Sequence, residues 1–386
     1  MDLTLCLTHD CNLRCGYCYA GRKHRKTMEW EVAKAAIDFS LKESLSEVEL
    51  GLTEAPSMVL GFFGGEPLLE WELLKRCHAY VHEQADRLGV RVRHTVTTNM
   101  TLLDAEKCSW LLENGYYLGL SLDGNEAMHD TWRKYAGGKG SHADCIKALP
   151  LLEGHESRAE IVCVVDPANV RHLADSVRWL ADATRVNIAL NPNFSADWTE
   201  EALELLSEQY REMADFYVQR FREGRPIHVN VIDGKIKTHV QGGYQTCDKC
   251  SMGEKEVAVS AAGNFYPCAR LVGNDDAEDI RFGNVWSGYD TDRRLRLIAE
   301  RGNRNPVCFV CPVRERCMSW CGCVNYVTSG GDIGMVGPFT CFHEKMSIDV
   351  SDSVAEALWS ERNADFLWRF YGVTPEALED AESKEV

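Results

Sequence analysis

The chain has 386 residues, 45% of them apolar and 26% charged, a balance that fits one large or two moderate globular domains and excludes disorder and fibrous structure. Lysine and arginine number 42 against 59 acidic residues, a formal charge of −17, so neither a nucleic-acid backbone nor an anionic membrane is expected as the main partner. There is no apolar run long enough to span a bilayer and no signal-peptide pattern, and a cytoplasmic setting is expected.

Strand-like and helix-like stretches alternate from the start. Asp2 to Thr8 reads as a strand and Met28 to Leu45 as a helix, followed by Ser57 to Phe63 with Leu68 to Leu88, and Val90 to Thr98 with Asp104 to Glu113. Tyr116 to Leu122 precedes a glycine-rich loop and the helical stretch His142 to Leu152; Glu160 to Val165 precedes Pro167 to Ala183, and Val186 to Leu190 precedes Thr199 to Arg222. Six such pairs predict parallel βαβ units. A closed barrel of eight units takes roughly 250 residues, and the pattern stops near Asn230, so the expected fold class is α/β with a partial (β/α)6 TIM-like barrel. Functional groups then belong at the C-terminal ends of the strands.

From about Gly242 to Glu344 periodicity is sparse, apart from a hairpin pattern over Val257 to Tyr266 that turns at Ala262, Gly263 and Asn264. Helical texture returns at Met346, and the acidic end, Ala377 to Val386, is expected to fray.

Seventeen cysteines in a signal-free chain of this size fit a disulfide framework poorly and point to metal ligands or buried thiols. Cys6, Cys77, Cys108, Cys145 and Cys163 stand singly and are expected in the core. Cys11, Cys15 and Cys18 form C-x3-C-x2-C in the loop after the first strand. Three thiolates in this spacing can hold three corners of an iron–sulfur cube and leave one iron open for chemistry. A zinc site completed by His9 or His24 is the rival reading of the spacing alone.

The stretch LTHDCNLRCGYCYAG resembles the cluster loop of radical S-adenosylmethionine enzymes, and the resemblance continues through FFGGEPLLE, TTN at Thr97 to Asn99, and SLDG at Ser121 to Gly124, then His129, Asp130 and Arg133. It implies a 4Fe–4S cluster on Cys11, Cys15 and Cys18 and S-adenosylmethionine on its open iron. Tyr17, Gly64, Gly65, Glu66, Asn99, Ser121, Asp123 and Arg133 are the implied cofactor contacts. Side-chain-free Gly64 and Gly65 would let backbone approach the cofactor closely, although they also suit a tight βα turn. Asp123-Gly124 is equally a turn dipeptide, Arg133 equally a solvated arginine, and the basic run Arg22 to Lys26 reads as a solvated loop.

Cys250, Gly263, Cys268, Cys308, Cys311, Cys317, Cys321 and Cys341 follow the spacing of the SPASM extension of these enzymes. That resemblance implies two auxiliary 4Fe–4S clusters, one on Cys247, Cys250, Cys268 and Cys321 and one on Cys308, Cys311, Cys317 and Cys341, making three clusters in all. Cys247 lies outside the pattern and competes with Cys323; paired zinc ribbons are the rival metal reading. The implied domains are a barrel over residues 1–235, a SPASM domain over 236–345 in which metal–thiolate bonds offset a sparse core, and a C-terminal helical segment over 346–386.

Such enzymes modify peptides. Sulfatase maturases of the group carry Asp after the cysteine of the Gly-x4-Cys element, and here NFYPCARLVG has Ala269. Crosslinking of a ribosomally made precursor peptide, through a thioether or carbon–carbon bond, is therefore expected ahead of formylglycine formation. The first strand begins almost at Met1, so leader recognition is expected from a separate protein or from the SPASM region and C-terminal helix. The electron donor is expected to be a flavodoxin or ferredoxin. An iron–sulfur electron-transfer or redox-sensing protein is the non-catalytic alternative, and no side chain is assigned as base or hydrogen donor.

Overall fold

A computed structural model describes residues 1–302 and 304–382. In chain order, β1 (Asp2–Cys6) leads through a long loop to α1 (Trp30–Glu49), β2 (Ser57–Phe63) to α2 (Trp71–Leu88), and β3 (Arg91–Thr98) to α3 (Ala105–Glu113). β4 (Tyr116–Ser121) is followed by the short helices α4 (Glu126–Trp132) and α5 (His142–Cys145), β5 (Ala159–Val165) by α6 (Leu173–Ala183), and β6 (Asn187–Pro192) by α7 (Glu200–Arg222). These six strand–helix pairs form the partial α/β barrel that the sequence predicts.

Local chemistry sets the boundaries. The Asp104 carboxylate accepts from Lys107 N at 2.9 Å and caps α3, Thr199 caps α7, and Gly89 ends α2 at φ 68°, a conformation costly for other residues. The helical stretch from His142 to Leu152 is present, in α geometry to Cys145 and as a 3-10 helix over Ile146–Leu152, where Pro150 lacks the N–H an α-helix would use. The strand–helix alternation ends with α7 as expected, and one further helix that the sequence reading did not identify, α8 (Asn230–Val240), follows without a named strand before it.

The chain divides into two compact units. The first comprises Met1–Leu122, Asp130–Glu160 and Cys250–Gly302. Its strands run in the order β4-β3-β2-β1-β7-β8, with β7 (Glu256–Val259) and β8 (Phe265–Tyr266) drawn from the cysteine-rich stretch. β1 pairs in parallel with β2 through Leu3 and Leu60 and with β7 through Leu3 and Val257. The expected hairpin is present, with Ala258 opposite Tyr266. β9 (Gly283–Asn284), β10 (Gly288–Tyr289) and α9 (Thr291–Glu300) complete this part.

Phe39 of α1 packs at 5.1 Å from Phe265 and 4.6 Å from Tyr289, and Val257, Val259, Phe265, Tyr266 and Phe282 are buried. The expectation of a sparse core in this stretch is corrected accordingly. Apart from Phe282, these residues sit in strands of two to four residues, too short to reveal a period. The single cysteines behave as expected: Cys6, Cys77, Cys108, Cys145 and Cys163 are all buried.

The second unit comprises Asp123–His129, Ile161–Lys249 and the described residues from 304 onward. There β6 lies beside β5, and α10 (Pro306–Phe309), α11 (Gly322–Ser329), α12 (Pro338–Ser360), α13 (Ala364–Tyr371) and α14 (Pro375–Glu382) follow α8. α12 lies along α7 and α8, joined by Tyr210 Oη to His343 Nε2 at 2.8 Å and by Ser351 Oγ to Val231 O at 3.2 Å. Of the acidic end expected to fray, the part up to Glu382 is helical and residues 383–386 lie outside the described residues. Among the described residues no helix is long and apolar enough to cross a membrane.

Candidate active site

The loop from β1 to α1 carries Cys11, Cys15 and Cys18 and is closed at its base by Met28 N donating to Leu7 O (2.7 Å) and His9 N to Lys26 O (3.0 Å). Its far side meets the segment after α4, where Arg14 N donates to Lys134 O at 2.7 Å. A Cβ on Gly16 would fall 2.1 Å from the Trp132 ring, so only glycine lets the loop lie there.

Backbone hydrogen bonds clip the end of β2 onto this loop. Gly65 N donates to Thr8 O at 2.7 Å and Glu66 N to Asp10 O at 2.9 Å. A Cβ on Gly65 would sit 1.8 Å from Asp10 O, and Gly64 has φ +134°, with a Cβ there 2.5 Å from Thr8 O. The close approach that the sequence suggests toward a cofactor is made, in this structure, to the cysteine loop.

Glu66 is buried. Its Oε1 accepts from Thr98 Oγ1 at 2.7 Å and Leu68 N at 3.1 Å, and its Oε2 from Asn99 N at 2.7 Å. Burial pushes the Glu66 carboxyl up to about 7, opposed by these three donors. Asn99 Nδ2 in turn donates to Asn12 Oδ1 at 2.8 Å and lies 3.6 Å from Cys11 Sγ, while Asn99 Oδ1 accepts from Thr101 N at 3.1 Å. The C-terminal ends of β1, β2 and β3 thus share one hydrogen-bonded rim, with Glu66 at its centre.

Donors also face the sulfurs. Leu13 N donates to Cys11 Sγ at 3.4 Å and Lys23 Nζ to Cys18 Sγ at 3.1 Å. Hydrogen bonds to sulfur favour the thiolate and tune a bound iron–sulfur cluster, so this donor set fits a 4Fe–4S cluster. The basic run is partly absorbed here: besides Lys23, His24 stacks on His9 at 4.8 Å and Arg22 N donates to Asn274 Oδ1 at 2.7 Å. Sequence reasoning gave this run no role because charge runs are usually solvated; its proximity to the triplet was the available signal.

The other expected residues take distinct places. The buried Arg133 guanidinium lies 5.4 Å from the Tyr17 ring centroid, which is not a solvated position. Ser121 ends β4 and is half-buried. Asp123, in the second unit, is fully buried; its Oδ1 accepts from Val164 N at 2.8 Å and its N donates to His129 Nδ1 at 3.3 Å, which binds it to the backbone of β5.

The remaining cysteines divide between the units. In the first, Cys250 Sγ lies 3.3 Å from Glu256 Oε2, and Cys268 precedes a short 3-10 turn that begins at Ala269. In the second, Cys247 is exposed, Cys308 lies in α10 with Cys311 just beyond it, Cys317 ends a 3-10 turn, and Cys341 lies in the first turn of α12. Cys321 caps α11 with its Sγ 3.5 Å from that of the buried Cys323.

Residues 5–180 match the family described as Radical SAM superfamily. An uncharacterized protein of Methanocaldococcus jannaschii is 31% identical over 178 residues, 46% of this chain and 57% of that protein, so the chain spans little more than half of that relative's length. The cysteine-type anaerobic sulfatase-maturating enzyme of Clostridium perfringens (strain 13) is 22% identical over 338 residues, 81% of this chain and 85% of the relative. Among solved structures, native anSMEcpe with bound AdoMet and Cp18Cys peptide has a TM-score of 0.74 at 18% identity, covering 94% of this chain and 100% of that one. Streptococcus suis SuiB bound to precursor peptide SuiA gives 0.56 at 15%, covering 88% and 75%. The structural likenesses establish the fold, and residues 5–180, which carry the cysteine loop clipped to the Gly64-Gly65-Glu66 turn, are similar to the radical SAM superfamily.

Proposed function

We propose that this protein is a radical S-adenosylmethionine maturase that oxidises a residue within a peptide or protein substrate. The observation that carries the reading is the rim at the strand ends, where the C-x3-C-x2-C loop is joined by hydrogen bonds to Gly65, Glu66 and Asn99. When bound, the cluster and S-adenosylmethionine supply a 5′-deoxyadenosyl radical able to take a hydrogen atom from an unactivated carbon.

The chain's own residues hold and orient. Cys11, Cys15 and Cys18 would ligate the catalytic cluster, with Lys23 and the Leu13 amide supporting the sulfurs. Tyr17, Gly64, Gly65, Glu66, Asn99, Ser121, Asp123 and Arg133 would surround the cofactor. Glu66 acts chiefly by fixing the backbone of Asn99 and Leu68. Cys247, Cys250, Cys268 and Cys321, and Cys308, Cys311, Cys317 and Cys341, would hold two auxiliary clusters able to take the electron that substrate oxidation releases.

A small ribosomally made precursor peptide is the favoured substrate, with a thioether or carbon–carbon crosslink as product. Peptides bound to both anSMEcpe and SuiB support a peptide substrate. Formylglycine formation is the second reading, favoured by similarity to the Clostridium perfringens maturase over most of both chains; Ala269, at the position where such maturases carry Asp, weighs against it. A leader-recognition protein, a flavodoxin or ferredoxin as reductant, and a cytoplasmic setting complete the proposal.

The test is anaerobic incubation of the reduced, iron-loaded protein with S-adenosylmethionine. Release of 5′-deoxyadenosine is expected and Cys15→Ala should abolish it; survival in the variant would sink the assignment. With a substrate peptide, loss of two hydrogens without a hydrazide-reactive carbonyl indicates a crosslink, and a hydrazide-reactive aldehyde indicates formylglycine.

A further inference from the structure

Away from the rim, three histidines of the first unit converge. His78 and His82 stand four residues apart on α2, a spacing that puts both on one face of the helix, and His94 comes from β3. His82 Nε2 lies 2.9 Å from His94 Nε2, and ring centroids are 4.5 Å apart for His78 and His82, 4.7 Å for His78 and His94, and 5.0 Å for His82 and His94. One ring nitrogen of each falls within 4.8 Å of the other two; His94 is buried, and His78 and His82 are half-buried, which gives an ion access from solvent.

A hydrogen-bonded stack is the simplest account of two facing imidazoles. It needs only two rings, however, and does not explain the third nitrogen beside them. His78 also has an orienting partner of the kind that ligating imidazoles usually have: its Nδ1 lies 3.2 Å from Tyr116 Oη, a hydroxyl that accepts as readily as it donates, and the ring also meets the Asn114 side chain.

We propose that His78, His82 and His94 bind one late first-row divalent ion, zinc foremost, with water as fourth ligand, and that this ion staples α2 to β3. Three imidazoles suit zinc, whereas magnesium and calcium prefer oxygen. Zinc–nitrogen bonds of roughly 2.0–2.1 Å place tetrahedral ligand atoms a little over 3 Å apart, so the His82–His94 pair needs to open by only a few tenths of an ångström. The site uses none of the cysteines assigned to a cluster.

The test uses iron–sulfur-loaded protein dialysed anaerobically against zinc chloride, with bound zinc counted by mass spectrometry in the wild type and in His82→Gln and His78→Phe. Gln keeps an amide near His94 but ligates zinc weakly; Phe keeps the stacked ring and removes the nitrogens. The wild type is expected to bind one zinc more than either variant. Zinc affinity at this site should fall in the variants by more than the roughly 100-fold that loss of an outer-shell partner costs, and zinc should raise the unfolding temperature of the wild type alone. Cobalt in place of zinc should give d–d absorption without thiolate charge transfer. Equal zinc uptake by all three proteins, or added cobalt bound only with thiolate charge transfer, would overturn the proposal and leave the rings as a hydrogen-bonded stack.

Discussion

Lys235 of α8 and Glu344 of α12 face each other at 2.7 Å with 6% and 4% of their side chains exposed. Lys235 Nζ also donates to Arg316 O at 2.9 Å and lies 3.2 Å from Tyr244 Oη, while Glu344 accepts from Met318 N. The pair therefore ties two helices to the backbone on both sides of Cys317. Burial opposes the charge on Lys235, but the Glu344 carboxylate and then Tyr244 outweigh it and raise the lysine's pKa.

Breaking such a pair on one side leaves an uncompensated buried charge, which costs about 3–5 kcal/mol, whereas replacing both partners with apolar residues is often close to neutral. Glu344→Gln is expected to destabilise the protein by that amount in urea unfolding. Lys235→Met with Glu344→Leu should recover most of it, short of the roughly 1–3 kcal/mol for the orphaned Met318 N–H. A double variant no more stable than Glu344→Gln would show that the backbone bonds, not the charges, matter.

Gly65→Ala should disable the active site. The added methyl would meet Asp10 O at 1.8 Å, so the turn and the cysteine loop must separate and both backbone bonds between them are lost. Deoxyadenosine release should disappear, and iron content should fall by about four atoms, one cluster's worth. Gly137→Ala, which meets nothing within 4 Å, should retain both iron and activity.

Glu66 makes stability depend on pH. Its folded carboxyl is raised by burial to about 7 from an ordinary 4.5, so between those values the folded state binds more protons than the unfolded one. Unfolding free energy should fall as pH rises through that window, by at most about 1.4 kcal/mol per unit, and level off above it. Glu66→Gln should lack this component while losing stability at low pH, because an amide nitrogen accepts no hydrogen bond and would face either Asn99 N–H or the Thr98 and Leu68 donors. An unchanged pH profile in the variant would place the titration elsewhere.

Much of this arrangement is legible in the sequence, for reasons that differ by element. β2 is readable to the residue because an apolar run ends in two glycines, and the Cys11, Cys15 and Cys18 loop because its spacing is local. The pairing of β7 with β1 is not legible, since the partners are some 250 residues apart and four residues carry little pattern. Glu66 is recognisable as a motif residue, but its three donors come from Leu68 and from the β3 end, which only the fold brings together. The His78 and His82 spacing is visible on a helix; the third ligand, His94, requires knowing how α2 lies on β3.

The first of the two proposed auxiliary clusters has two claimants for its fourth ligand, Cys247 and Cys323. The assignment to exposed Cys247 leaves buried Cys323 as a core thiol against Cys321. Cys247→Ser should therefore lower iron by about four atoms, and Cys323→Ser should leave iron unchanged with a modest loss of stability. The reverse pattern would move the assignment to Cys323.

The place of β1 between β2 and β7 has a consequence for synthesis. One edge of the first strand stays without its partner until residues near Val257 leave the ribosome, roughly 13–50 s at 5–20 residues per second. During that interval β1 presents open amides and carbonyls beside Leu3 and Leu5, an invitation to wrong pairing. Slowed translation between β2 and β7 should thus raise aggregation of the nascent chain, even though the finished protein keeps that strand well inside its sheet.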